Sequence, residues 1–379
     1  MNARWCVAVL LMTPALVPAA ADAAPTVAAG ATCAGHRVTI DLNDAHHPDP
    51  HRPQSDVVMG TWRRNKISTG AGNDIVCGLG HLDKIDLGPG DDEAYGGHGP
   101  DVLFGGTGDD YYVGGQGEDM INFGHATQRT TIDLRKQGWQ ETGWGRDKLE
   151  EIEDIRGARR YENRLIGDSG PNYVVGGDVR DWVKTLGGRD EISGRSVGVS
   201  RLDAGDGSDY VYGSENADLI IGGDGDDNLN SRGGTDVMMG GGGDDALIAE
   251  EWDASPLEIH GGPGDDLLYA ATEDDLLDGG DGVDLVDFGT TPGSIDDVGV
   301  TVDLALVGPQ DTVTFGMDEF IDIEVLEGTV YDDVLLGDDR DNKLYGSHGS
   351  DHIDGRGGND FCDGGGILSD VDELLNCEN

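Results

Sequence analysis

The chain has 379 residues, enough for two or three ordinary domains, yet glycine supplies 64 of them and aromatics only 6%. Seventy-five acidic residues against 25 basic ones leave a net charge of −50. A charge this negative argues against nucleic acid and anionic membrane as partners. It leaves two accounts of the acids: a disordered polyelectrolyte, or carboxylates that serve as cation ligands.

Residues 1–23 read as a secretory signal peptide. Arg4 precedes an apolar run from Trp5 to Val17, and Ala19-Ala20-Ala21-Asp22-Ala23-Ala24 offers A-x-A cleavage after Ala21 or Ala23. The run is too short to span a bilayer, and no later stretch reaches that length. The expected location is therefore secreted and extracellular. Cys6 leaves with the leader, so Cys33, Cys77, Cys362 and Cys377 remain, an even number that suggests two disulfides in an exported protein. One pair flanks each end of the repeats described next, which predicts Cys33 with Cys77 and Cys362 with Cys377. Metal binding by these thiols is the rival reading, and no C-x-x-C spacing supports it.

Residues 24–50 form an expected N-terminal cap. It holds His46-His47-Pro48-Asp49-Pro50, followed by His51, which could ligate Zn²⁺ or Ni²⁺. Pro48 and Pro50 deny that tract helical ligand spacing, so it reads as a solvated loop.

A nine-residue period starts at His51. From Gly96 it runs GGHGPDVLF, GGTGDDYYV, GGQGEDMIN, and the same frame gives eight nonads over 51–122. It returns at 167–193, 204–248 and 261–287, within a second block at 167–287, and at 328–363, for 23 nonads in all. The sixth position is Asp in 20 of them, with Asn65, Asn172 and Asn342 in the rest, and the eighth is apolar in every one. A disordered acidic tract would not hold an apolar residue in phase with an aspartate, so disorder is rejected. The three residues x-U-x make a short strand with one inward side chain. The six before it form a turn whose glycines permit positive φ and close backbone approach. Two nonads make one coil, so loops 18 residues apart stack at about 4.8 Å. Stacked carboxylates and carbonyls form an oxygen cage suited to Ca²⁺ rather than Mg²⁺.

This GGxGxDxUx nonad resembles the haemolysin-type (RTX) calcium-binding repeat over nearly all of 51–363. The resemblance implies an all-β, right-handed parallel β-roll or β-helix solenoid, with Ca²⁺ between stacked loops and the sixth-position Asp as a main ligand. Carried onto this chain, the ligands are Asp74, Asp83, Asp92, Asp101, Asp110 and Asp119 in the first block. In the second they are Asp190, Asp209, Asp218, Asp227, Asp236, Asp245, Asp266 and Asp284, and in the third Asp351 and Asp360. Weak or absent sites are expected where the fourth position is Arg63, Val179, Glu273, Tyr331 or Arg340 instead of glycine. An EF-hand is a poor rival, because Asp224-Gly225-Asp226-Asp227-Asn228 is followed by Leu229 where that loop requires glycine.

Two modules interrupt the nonads, at 123–166 and 288–327, and resemble each other. The first carries Asn122-Phe123-Gly124, Thr131-Ile132-Asp133-Leu134 and Ile152-Glu153-Asp154-Ile155; the second carries Asp287-Phe288-Gly289, Thr301-Val302-Asp303-Leu304 and Ile323-Glu324-Val325-Leu326. They read as duplicated insertions that continue the coil with longer rungs. The alternative is a recognition surface, because Trp139 and Trp144 look exposed beside Arg135, Lys136 and Arg146. Residues 364–379 read as a C-terminal cap.

Catalysis finds little support. No H-E-x-x-H exists, and Gly194-Arg195-Ser196-Val197-Gly198 matches G-x-S-x-G in a glycine-rich chain without the helix a nucleophile elbow needs. The expectation is a non-enzymatic, secreted protein that folds on binding several Ca²⁺ ions and serves a structural or surface-binding role. Extracellular glycan or protein is the open partner class. The alternative is a polysaccharide lyase or epimerase with the roll as scaffold.

Overall fold

The computed structural model describes residues 31–43, 53–195, 198–249, 255–269, 271–289, 298–313, 315–366 and 371–378. The leader, the His46–His51 tract and Ser196 lie outside these residues. Among the described residues there are strands, turns and no helix.

The architecture is a parallel β-roll of stacked coils. One wall is a single fifteen-stranded sheet, running coil by coil from Lys66–Ser68 to Phe361–Asp363. The other is divided into sheets of seven, eleven and four strands. Neighbours on a wall sit 18 residues apart in parallel register, as in Val76↔Ala94 and Leu229↔Leu247. Two nonads therefore make one coil, and each eighth-position side chain lies on its counterpart in the next.

All 23 eighth positions are buried, from Val58 and Ile67 through Leu229 and Leu247 to Ile353 and Cys362. Together with module residues such as Phe123, Ile155 and Phe288 they make one continuous core. Each fully buried branched or aromatic side chain contributes about 1.5–3 kcal/mol, and the roll obtains only one such side chain per nine residues. The core is thin, so the turns matter.

The two walls differ in strand length. In the fifteen-stranded wall the strands are short, such as Lys84–Asp86 and Val102–Phe104. In the opposite wall many run six residues into the following turn, such as Leu219–Asp224 and Leu276–Asp281. There the glycines are part of the ladder. Gly223 stands at φ +134°, and a Cβ on it would lie 1.7 Å from the carbonyl oxygen of Gly205 one coil away. Only glycine allows coils to approach this closely.

Both modules carry the coil forward while changing the divided wall. In the first, Arg146–Glu150 joins the seven-stranded sheet and Asp154–Arg156 joins the fifteen-stranded wall, while Thr130–Asp133 starts the eleven-stranded sheet. In the second, Met317–Ile321, Val325–Glu327 and Thr301–Asp303 take the same three parts. Gln140 brackets Asp133, accepting from its N–H at 2.9 Å and donating to its carbonyl at 3.2 Å; Gln310 does the same to Asp303 at 2.7 and 3.0 Å. The expected exposed pair of tryptophans is corrected here. Trp139 is exposed, but Trp144 is half-buried with its ring 6.3 Å from that of Phe123, because the module folds it onto the core. Arg135 is also engaged, donating twice to Asp133 at 2.8 and 2.9 Å.

At the N-terminal end, the hairpin of Thr32–Cys33 and His36–Arg37 leads to Ile40–Asp41, which pairs with Val57–Met59. The Cys33–Cys77 disulfide ties this end to the first coils. At the other end Glu373–Leu375 pairs with His352–Asp354, and Cys377 is bonded to Cys362.

Candidate metal centres

All twenty sixth-position aspartates are buried, and they form ladders along the two edges of the roll. In most of them Oδ1 accepts the backbone N–H of the equivalent residue one coil back; Asp181 Oδ1 accepts instead from the Asn163 side-chain amide at 2.7 Å and Asp56 Oδ1 from the Thr39 hydroxyl at 3.3 Å. On the edge leading into the fifteen-stranded wall, Asn65, Asp83 and Asp101 donate in turn to Asp83, Asp101 and Asp119 at 2.6, 2.6 and 2.7 Å. The same edge resumes at Asn172 N–H to Asp190 Oδ1 and continues through Asp209, Asp227, Asp245, Asp266 and Asp284, with distances of 2.7–2.9 Å. The opposite edge carries Asp74, Asp92 and Asp110 in the first block, with Asp218 and Asp236 in the second. Asp351 and Asp360 continue the two edges in the third block, accepting from Asp333 and Asn342 at 2.9 and 2.8 Å.

The second carboxylate oxygens separate the predicted ligands into two groups. In Asp83, Asp92, Asp101, Asp119, Asp209, Asp227, Asp245, Asp266, Asp284, Asp351 and Asp360, Oδ2 is buried and meets no hydrogen-bond donor. In Asp218, Oδ2 accepts from the Ser214 amide at 2.8 Å and its hydroxyl at 2.7 Å. In Asp110 it accepts from the Tyr112 hydroxyl at 2.9 Å. The irregular loops follow Asp218: Oδ2 of Asp181, Asp275 and Asp333 accepts from the Gly177, Ala271 and Thr329 amides at 2.8, 3.0 and 2.7 Å. In these three loops the chain's own donors reach the carboxylate; the loop of Asp83 also lacks the fourth glycine, with His81 in its place, yet its Oδ2 stays open.

Glycine also determines what faces the open oxygens. A Cβ on Gly222 would stand 2.2 Å from Asp227 Oδ2 and 2.5 Å from the Gly240 carbonyl oxygen; on Gly261 it would stand 2.2 Å from Asp266 Oδ2 and 2.6 Å from the Gly279 carbonyl. The space left by the missing side chain is thus shared by a carboxylate oxygen and a carbonyl oxygen from the next coil. Among the described residues no three His, Cys, Asp or Glu side chains converge, so the donor set is one of backbone carbonyls and carboxylates. Buried oxygens facing one another without a donor are costly. A hard cation with flexible oxygen coordination relieves that cost, and Ca²⁺ fits this donor set.

The electrostatics agree. Burial raises the carboxyls of Asp83, Asp119, Asp227, Asp245 and Asp351 to about 7 and Asp92 to about 8, despite the lowering effect of each ladder N–H; like charges one coil away add to the rise at each of these six. Asp101, Asp110 and Asp284 rise to about 6 by the same burial. Bare carboxylates are unfavourable here.

Besides Asp372 and Glu378 of the C-terminal end, which accept from the Asp351 and Asp360 amides at 3.3 and 2.7 Å, four ladder acids lie in the two modules and escaped sequence reasoning. Asp110 donates to Asp147 and Asp275 to Asp318 at 3.0 and 2.9 Å, while Asp119 and Asp284 donate to Glu153 and Glu324 at 2.9 and 3.2 Å. A signal was present: each stands two residues before a buried apolar side chain (Leu149, Phe320, Ile155, Leu326), the spacing of the sixth and eighth nonad positions.

The family model for the RTX calcium-binding nonapeptide repeat (four copies) matches residues 54–80, 86–121, 162–196, 198–220, 212–247, 259–290 and 324–366, more than half of the chain. No curated protein matches it.

Proposed function

From the chain's membership of the RTX calcium-binding repeat family we propose that it is a secreted, non-enzymatic β-roll that folds on binding several Ca²⁺ ions and serves a structural or surface-binding role outside the cell. The observation that carries this reading is the row of buried, donorless Oδ2 atoms, each sharing its glycine-lined space with carbonyl oxygens. Bound calcium supplies positive charge to oxygens that have no other partner. In this reading Asp209, Asp227, Asp245, Asp266 and Asp284 hold the longest row of ions, Asp83, Asp101 and Asp119 with Asp92 hold those of the first block, and Asp351 and Asp360 close the series. Asp74, Asp190 and Asp236 occupy the same ladders. Asp110 and Asp218, whose second oxygens already accept hydrogen bonds, contribute less.

Magnitudes support coupling of binding to folding. Two carboxylates about 5 Å apart repel by roughly 3 kcal/mol at an effective dielectric near 20, comparable with what one inward side chain returns. Extracellular modules bind Ca²⁺ with dissociation constants around 10⁻⁴–10⁻³ M, and many sites filling together stabilise the folded state by mass action. Circular dichroism and light scattering across a calcium titration test this: chelated protein should be expanded with little β structure, and millimolar Ca²⁺ should compact it cooperatively. Mg²⁺ should substitute poorly, because it keeps its waters. Unchanged β content and radius in excess EGTA would sink the reading.

A further inference from the structure

On a chain with three acids for every base, one surface reverses the ratio. A cleft of about 730 Å³ on the fifteen-stranded wall is lined by Lys84, Arg156, Arg159, Arg195 and Arg232, with only Asp178 and Glu215 as acids. Arg159 and Asp178 neutralise each other at 3.0 Å. Lys84, Arg156, Arg195 and Arg232 make no ion pair among the described residues. The geometry points to a binding cleft for a linear acidic polysaccharide, one that carries a carboxylate or sulfate on successive rings.

The cations are strung along the roll. Lys84 is on the strand Lys84–Asp86 and Arg232 on Asn228–Arg232, eight adjacent strands in all, or roughly 34 Å at the usual strand spacing. Arg156 pairs with Asn122 in between, and Arg232 with Ser214. A track of separated charges suits an extended polyanion better than a compact ion. Lys84 also lies over the Phe104 ring at 4.3 Å, and the His125 ring lies 6.2 Å from that ring, so one end of the cleft is bordered by aromatic side chains.

Two of the arginines are held at a conformational cost. Arg195, one residue after Gly194 and just beyond the nonads of 167–193, stands at φ 59°, and Arg232 occupies the second nonad position at φ 69°; glycine is unstrained at such angles. Arg356 occupies the same position at φ 65°, and there the cost has a structural return, a two-pronged bond to Asp303 at 2.6 and 2.7 Å. Arg195 and Arg232 have no such partner. The Arg232 side chain has only the Tyr212 ring, 5.4 Å from its guanidinium carbon, and Arg195 has no ion pair among the described residues. Neither strained backbone is offset by a salt bridge, which is a mark of a functional surface. The net negative charge does not defeat the site, because remote acids are screened within about 8–10 Å at physiological salt.

This inference rests on the surface-binding part of the proposed role and is separable from calcium-dependent folding. Calcium-loaded protein is titrated with three hexasaccharides, one of uronate, one sulfated and one neutral. Binding of either acidic probe, weakened at about 0.5 M NaCl, is expected, with no binding of the neutral one; which acidic probe binds tells carboxylate from sulfate recognition. R156A/R195A/R232A should bind about tenfold more weakly, with circular dichroism unchanged, while R63A/R64A should bind as the parent does. If the triple variant does not fold, R195A alone, exposed and without an ion pair among the described residues, is read instead. Absence of acidic-glycan binding by protein that folds normally with Ca²⁺ overturns the cleft and leaves the calcium roll standing. So does equal loss in both multiple variants, or use of the cleft only by oligonucleotide or by a second copy of the chain.

Discussion

The backbone N–H of Asp227 donates to Oδ1 of Asp245 at 2.8 Å, and Oδ2 of Asp245, buried, meets no donor. One carboxylate thus joins two coils with one oxygen and presents the other to the carbonyl-lined space between them. Asp245→Asn keeps the ladder acceptor but replaces the open oxygen with an amide that cannot ligate a cation. The calcium concentration for half-folding should rise about tenfold or the stoichiometry should fall. Asp218→Asn should leave the stoichiometry unchanged, because Ser214 already satisfies that carboxylate. The amide has one acceptor for the Ser200 and Ser214 N–H groups, so it lowers stability with or without calcium. Equal effects in calcium-titrated circular dichroism and calorimetry would refute the division between open and satisfied loops.

Acid should replace part of what calcium does. The carboxyls of Asp83, Asp119, Asp227 and Asp245 stand near 7 in the folded chain through burial, against about 3.9 unfolded. Between those values the folded, metal-free chain binds more protons than the unfolded one, so its stability falls as pH rises. The contribution is complete below about pH 4 and lost as pH passes through about 7. Dialysed, calcium-free protein should therefore show more β structure at pH 4.5 than at pH 8, and calcium binding at pH 7 should release protons. Greater metal-free order at pH 8 would contradict the buried-carboxylate account.

Gly223 and Gly233 provide a paired test of the coil spacing. Gly223→Ala places a methyl 1.7 Å from the Gly205 carbonyl at φ +134°, whereas on Gly233 it would meet nothing nearer than 3.7 Å, at an ordinary φ. The first should cost about 3 kcal/mol or more and the second less than about 1, read from thermal melts in saturating Ca²⁺.

The two disulfides close loops of 44 and 15 residues. On the chain-entropy model these are worth about 4 and 3 kcal/mol. Cys362→Ala with Cys377→Ala should lower stability by about the smaller figure and speed amide exchange in Glu373–Leu375 without reducing calcium stoichiometry. Non-reducing digestion should yield the Cys33–Cys77 and Cys362–Cys377 peptides and no free thiol from these four. A Cys33–Cys377 link would refute the separate tethering of the two ends.

The roll, its two-nonad coil and the buried eighth position were legible in residues such as Val58, Leu229 and Ile353, because a period of nine acts on each short strand locally. The glycine pattern corresponds only in part to the loop hydrogen bonding, since Asp83, with His81 at the fourth position, keeps an open Oδ2. Arg63, Val179, Glu273, Tyr331 and Arg340 marked irregular loops, and those of Asp181, Asp275 and Asp333 carry their own donors to the carboxylate. Trp144 was misread, because its contact with Phe123 depends on how a module folds back, which no spacing encodes.

By itself, then, the sequence determined the repeat, the inward residue and the oxygen-rich chemistry of the turns, since each follows from a few adjacent residues. Which carboxylates share an edge was decided only by the tertiary structure. The ladder step is 18 residues at Asp227–Asp245 but 19 at Asp190–Asp209, 21 at Asp245–Asp266, 37 at Asp110–Asp147 and 43 at Asp275–Asp318. Insertions lengthen the path around the coil without changing the rise between strands. Hydrogen bonding keeps the rungs in register and pushes the extra residues outward. That rule, which acts between coils rather than along the chain, brought Asp147 and Glu153 into the ladders and gathered Lys84, Arg156, Arg195 and Arg232 along one cleft.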